Sequence, residues 1–203
     1  MKFSIIFASL LIIFFVVICS GCVCCGLSNF GSQPVGNNNG QSSAASPTPI
    51  PKGFSQNNPA GIGDTIHFTS YRGFTPYEAE ITITDVLRGE PAFTFLNANQ
   101  IITQDVADPN LELLLCKFKF HLIKWGDTGT FDTWDSFQCI SNKELIAPFK
   151  PDQKPQPQFE GSIYEGATKE GWITLACYKD DPSPLIVYEK DSNPNGGIWF
   201  KPY

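Results

Sequence analysis

Methionine occurs once in these 203 residues, at the start, and histidine only twice. Basic residues are also scarce: 14 Lys and Arg stand against 20 Asp and Glu, a formal net charge of −6. An acidic chain of this kind is a poor partner for nucleic acid or for an anionic membrane surface, since both require clustered Lys and Arg. Several catalytic signatures are missing. The sequence contains no His-Glu-x-x-His, no Gly-x-Ser-x-Gly and no glycine-rich phosphate loop, which removes the motif-based case for zinc peptidase, serine hydrolase and nucleotide chemistry. His67 and His121 fall on outward-facing strand positions and read as solvated sheet residues, because a metal centre would need them together in space with a third ligand. No Asn-x-Ser/Thr sequon occurs. An enzyme is not expected, and no cofactor is implied.

Charge is missing in a second, more informative way. After Lys2 no charged residue appears until Lys52. The first part of that span, Phe3 to Ile18, is apolar but shorter than the roughly 20 residues a membrane-spanning helix needs. Small and apolar residues through Leu27 extend it to that length. Residues 1–27 therefore read as an anchor, in one of two forms. A lipoprotein-type signal would be cleaved at Ser20-Gly21-Cys22, with Cys22 becoming the lipidated N-terminus; the small residues at 20 and 21 suit such a site. An uncleaved helix would keep Lys2 inside and the bulk of the chain outside. Residues 28–59, rich in Gly, Asn, Ser, Gln and Pro, show no apolar periodicity to offset the entropy of ordering and read as a disordered tether.

Residues 60–203 carry the folded domain. Ile66, Phe68 and Ser70 alternate with His67 and Thr69, as in a strand with one buried side. Glu78 to Arg88 is a second strand with Ala79, Ile81, Ile83 and Val86 inward. Pro91 to Asn99 is expected to form one short helix opened by proline, with Phe93, Leu96 and Ile101 facing the sheet. Leu111 to Trp125 is the strongest strand: Leu114, Cys116, Phe118, Phe120 and Leu122 share the core parity. Phe131 to Ile140 and Gly171 to Tyr178 follow, and Pro184–Tyr188 with Ile198–Phe200 close the chain as a hairpin. Short strands between Gly and Pro turns, with one helix, imply an all-β sandwich.

Particular residues carry a family likeness. Gly63-Asp64-Thr65, Glu80-Ile81-Thr82-Ile83 with Arg88-Gly89, the run Leu114 to Phe120, and Gly166-Ala167 before Gly171-Trp172 together resemble the telokin-like, immunoglobulin-type domain of bacterial and archaeal surface lipoproteins. The resemblance spans about 62–203 and implies an Ig-like β-sandwich at a cell surface. It supplies no catalytic residues. Cys116 departs from it by standing where an aliphatic residue is usual, and the tail after Tyr188 is longer.

Seven cysteines divide into an anchor group at 19, 22, 24 and 25 and a domain group at 116, 139 and 177. Cys116 and Cys177 both point inward by strand parity, so a disulfide between them is an open possibility. Cys139 is an alternative partner, and three reduced thiols packing as small hydrophobes is the other state. Asp191, Asn193 and Asn195 match the first half of a calcium loop, but Pro202 occupies the position that needs a bidentate Glu. A turn accounts for the same residues, so no metal is assigned. Trp125, Trp134, Tyr164, Tyr178 and Trp199 are too many for a central core, and some are expected to form a patch for a protein or glycan partner. These readings together point to a membrane-anchored, outward-facing, non-catalytic domain for surface interaction, adhesion or envelope support. The alternative is a solute- or metal-binding surface lipoprotein associated with transport, which would show a pocket with converging polar groups.

Overall fold

A computed structural model describes residues 49–101, 108–134, 136–146 and 154–203. The anchor, Cys22 and most of the tether lie outside the described residues. Two four-stranded antiparallel sheets face each other, with a two-stranded ribbon beside them, and the ten strands are β1 (Thr65–Arg72), β2 (Thr75–Arg88), β3 (Leu111–Trp125), β4 (Phe131–Thr133), β5 (Phe137–Ser141), β6 (Glu144–Ile146), β7 (Gly161–Ile163), β8 (Thr168–Tyr178), β9 (Leu185–Tyr188) and β10 (Ile198–Phe200). One sheet has the order β1-β2-β3-β8, the other β10-β9-β5-β6, and β4 pairs with β7 as a separate ribbon. This is an Ig-like β-sandwich with one short helix, α1 (Glu90–Ala98).

Strand parity follows the sequence reading closely. Ile66, Phe68 and Ser70 of β1, Ala79, Ile81 and Ile83 of β2, and the even positions Leu114 to Leu122 of β3 are buried between the sheets. Val86 shares the inward side with Ile83 despite its opposite parity. A register shift between Ile83 and Asp85 explains it: Ile83 pairs with Phe118 but Val86 with Cys116, so Thr84 is the extra residue of a bulge. The core is dense in aromatic rings. Phe118 packs on Phe137 at 4.4 Å and Phe200 at 5.2 Å, and Phe120 stacks on Phe131 at 5.7 Å.

The outer face of the first sheet is not uniformly wet. Leu113 and Leu115, on the parity that faces away from the sandwich core, are buried beneath α1 together with Ala92, Leu96, Ile101 and Trp172. Pro91 starts this helix as expected, and Leu96 and Ile101 face the sheet. Phe93 does not; it is 36% exposed. Ala92 and Phe95 take its place, with Phe95 lying 4.8 Å from the Trp172 ring. The helix begins at Glu90, one residue before the proline.

The folded part also begins before residue 60. Trp199 N–H donates to the Gly53 carbonyl at 2.7 Å, Phe54 packs on the core, and Ala60 bridges Phe200. Residues 53–59, assigned above to the tether on composition, are therefore part of the sandwich. Phe54 and Ala60 supply its apolar contacts, and backbone hydrogen bonds to Trp199 and Lys201 hold it. The expected strand from Phe131 to Ile140 is likewise two strands in different sheets, interrupted around Trp134.

Candidate interaction surface

Strand directions divide the sandwich into two ends. At one end lie the start of β1, the close of β2 and β8, and the C-terminal residues; Ala60 and Lys201 hydrogen-bond there at 2.7 Å, and the Arg88 guanidinium sits 5.6 Å from the Tyr203 ring. The chain comes in at this end. At the far end the β1–β2 hairpin turns through Gly73 and Phe74 only, because Arg72 pairs with Thr75. A two-residue hairpin of this kind needs a positive φ at its first central position, and Gly73 adopts +64°.

Exposed aromatic residues gather at the far end. Phe74 at the hairpin tip is fully exposed, Tyr164 is 68% and Trp134 53% exposed, and Tyr71 is nearly half exposed. Trp125 borders them, half-buried, with its ring 5.2 Å from Phe131 and its backbone N–H on the Glu165 carboxylate at 2.8 Å. Of the five aromatics expected to form a patch, Trp125, Trp134 and Tyr164 lie at this end. Trp199 does not: it is buried at 8% exposure, donating its indole N–H to the Gly196 carbonyl. Tyr178 lies at the opposite end, hydrogen-bonded to Glu144 at 2.8 Å. Tyr71 and Phe74 were missed by sequence reading. The Arg72-Gly73-Phe74-Thr75 turn was the available signal, since an apolar ring in a two-residue hairpin has no core to enter.

Behind this surface lies a buried polar cluster. The Glu189 side chain is wholly buried and accepts hydrogen bonds from Ser70 Oγ at 2.8 Å and Tyr77 OH at 2.5 Å. Arg72 Nη2 approaches the other carboxylate oxygen at 3.1 Å, off the axis of an aligned hydrogen bond, so the contact is chiefly charge on charge. The Arg72 guanidinium in turn lies 4.5 Å from the Trp134 ring centroid and 5.2 Å from that of Phe131. Burial pushes the Tyr77 and Tyr188 hydroxyls far above the ordinary phenol range, so both stay protonated, Tyr77 as the donor to Glu189.

The other sequence candidates are dispersed. Asn193 spends its side-chain oxygen on the Asn195 N–H at 2.9 Å, while its own N–H binds the Glu189 carbonyl, and Asp191 is exposed. That segment is closed as a turn rather than opened toward an ion. Among the described residues no group of three or more His, Cys, Asp and Glu is arranged to hold a metal. His67 and His121 are nearer one another than sequence suggested, flanking Glu80 in one cross-strand row. Each is taken by a separate carboxylate, His67 by Glu78 at 2.7 Å and His121 by Glu80 at 3.3 Å. Cys116, Cys139 and Cys177 are unbonded and buried in the core. A shallow recess of about 430 Å³ opens between Lys52, Ile62, Lys201 and Tyr203 where the chain comes in, mostly apolar and without converging polar groups.

No known family profile matches the chain, and no curated protein matches it. Solved structures with a related chain path include YcdA of Bacillus subtilis, described provisionally as a lipoprotein, at 11% identity and TM-score 0.45 over 66% of this chain and 37% of that one. YjhA of Bacillus subtilis aligns at 12% identity and TM-score 0.44, covering 71% of this chain and 99% of its own. The secreted protein MPT63 of Mycobacterium tuberculosis aligns at 14% identity and TM-score 0.45, covering 71% and 98%. This chain thus spans little more than a third of YcdA. The assignment of the fold rests on the sheet topology described above.

Proposed function

We propose that this protein is a membrane-anchored, extracytoplasmic and non-catalytic binding domain that meets a protein or glycan partner with its aromatic end. The observation that carries this reading is the placement of Phe74, Trp134 and Tyr164, all exposed, at the end opposite the one where the chain comes in. A domain tethered at one end presents the other. Exposed clusters of large aromatic rings are uncommon on soluble monomers and mark interaction sites when they are contiguous. Trp, Tyr and Arg are also the residues that concentrate binding energy at interfaces. The uncharged stretch before Lys52, with its apolar leader and the Ser20-Gly21-Cys22 site, supports the anchored and outward-facing part of the reading.

The test uses the full chain in its native membrane. Protease added to intact cells should release the domain, and cross-linking before lysis should join the wild-type protein to a defined surface partner. Phe74→Ser combined with Trp134→Ala should abolish that cross-link while leaving surface exposure unchanged. An unchanged cross-link in the double variant would remove the aromatic end from the function. Protection of the domain in intact cells would remove the outward orientation.

A further inference from the structure

Trp134 is exposed, yet it is held. One face of its ring carries the Arg72 guanidinium at 4.5 Å, and Arg72 is in turn held by the Glu189 carboxylate at 3.1 Å. Glu189 is itself fixed by the Ser70 and Tyr77 hydroxyls and by its own backbone N–H, which donates to the Ser136 carbonyl at 3.0 Å. Those partners come from β1, β2 and the segment following Trp134, so Glu189 ties three parts of the chain together, two through its carboxylate and one through its backbone. Its backbone sits at φ +52°, a left-handed conformation that residues other than Gly and Asn seldom adopt. Strained backbone around a buried charge persists only where the surroundings over-determine it.

We infer that Glu189 and Arg72 are positioning residues for Trp134, a stacked relay from the buried carboxylate to the exposed ring that sets the indole in one pose before any partner arrives. The inference rests on the proposed recognition role of this end for its purpose, though not for its geometry. Planarity decides which cation can serve in the middle. The guanidinium is planar and stacks on an aromatic face while still meeting a carboxylate with its edge, whereas an ammonium does the second but not the first. Arg72 does both at once, placed over Phe131 as well as Trp134 with its side chain 19% exposed. An aromatic anchor fixed in this way loses less conformational freedom on binding, which is the general route by which pre-organisation raises affinity.

Fluorine NMR of the full chain in detergent, labelled with 5-fluorotryptophan, tests the relay directly. The four tryptophans give four resonances, and Trp134→Phe assigns the one of interest. In wild type the Trp134 signal should be displaced from that of the free amino acid. In Glu189→Gln and in Arg72→Lys it should move to the free position with full solvent isotope shift, while the Trp172 and Trp199 signals stay in place and report an intact fold. An unmoved Trp134 signal in both variants would overturn the inference. So would collapse of the Trp172 and Trp199 signals in both, which would make the pair a component of the fold alone. If Trp134 loosens but partner cross-linking is unchanged, the positioning stands and the recognition role of this end fails.

Discussion

Cys116 and Cys177 point into the same core from neighbouring strands but stand four positions out of register. Cys116 pairs with Ile173, and Cys177 pairs with Glu112. Four residues of strand are about 13 Å, whereas a disulfide requires Cα atoms within about 7 Å. The two cysteines therefore do not bond to each other. Parity was right; register, which decides the pairing, lay beyond the sequence.

Reactivity of these thiols follows from their burial. Desolvation is the largest cause at each, and it pushes Cys139 up to about 12, Cys177 to about 11 and Cys116 well above its ordinary range. At neutral pH almost no thiolate exists at any of the three, and the thiolate is the reactive form. A disulfide-exchange reagent added to folded protein at pH 7.5 should leave Cys116, Cys139 and Cys177 unmodified over the time in which denatured protein reacts completely. Peptide mapping distinguishes them from the anchor cysteines. Rapid native labelling of Cys116 would contradict the burial.

Gly171 is a second point at which one atom decides the packing. A Cβ there would stand 2.2 Å from the Phe159 nitrogen and 2.3 Å from the Gln158 carbonyl carbon. These are backbone atoms, held in place because Trp172 N–H donates to the Pro157 carbonyl at 2.8 Å. Gly171→Ala should therefore cost about 1–3 kcal/mol or more by overpacking, seen as a lower midpoint in urea with an unchanged slope. Gly129→Ala, where nothing lies within 4 Å of the added carbon but φ is +100°, should cost about 1–2 kcal/mol from backbone strain alone.

Acid should weaken the corner where β5 turns into β6. Burial acts to raise the Asp181 carboxyl, but donors outweigh it: Ser183 N–H, Ser141 Oγ–H and Asn142 N–H hold it below its ordinary value of 3.8. A carboxyl with a depressed native value favours the folded state when ionised, so its contribution is present above about pH 4 and drains away as pH falls through the native value. Asp181→Asn should cost about 1–3 kcal/mol at pH 7. Its stability should also decline less steeply than wild type below pH 4. Parallel curves for the two proteins in acid would remove Asp181 from the linkage.

Stability and recognition should separate cleanly between the core and the far end. Phe120 is fully buried among Phe68, Tyr77, Phe131, Phe159 and Tyr188. Phe120→Ala should cost about 3–5 kcal/mol. Phe74→Ser, at a fully exposed tip, should stay within about 0.5 kcal/mol of wild type. Thermal unfolding of both variants checks the contrast.

Strand identity was legible because burial on one side of a sheet imposes a period of two, which β1 follows throughout and β2 follows up to its bulge at Thr84. The helix was legible from Pro91, though its packed face was not: Phe93 turned outward because Leu113, Leu115 and Trp172, which α1 covers, come from strands far along the chain. Of the candidate surface, Trp125, Trp134 and Tyr164 were named from composition alone. Glu189 was not, since one glutamate in a turn carries no sequence mark of being wholly buried. Only the approach of Ser70, Arg72 and Tyr77 from strands more than 100 residues away makes it a buried anchor.

What the sequence by itself determined is therefore local: an uncharged apolar leader, strands with assignable inward faces, one proline-started helix, and an excess of aromatic residues over what a core can hold. The tertiary structure alone decided the register that parts Cys116 from Cys177, the bulge at Thr84 by which Val86 keeps the inward side read for it, and the end of the sandwich at which several of the surplus aromatics lie. Periodicity is written in neighbouring residues. Register and facing are set by contacts between residues distant in the chain, whose energies no local pattern contains.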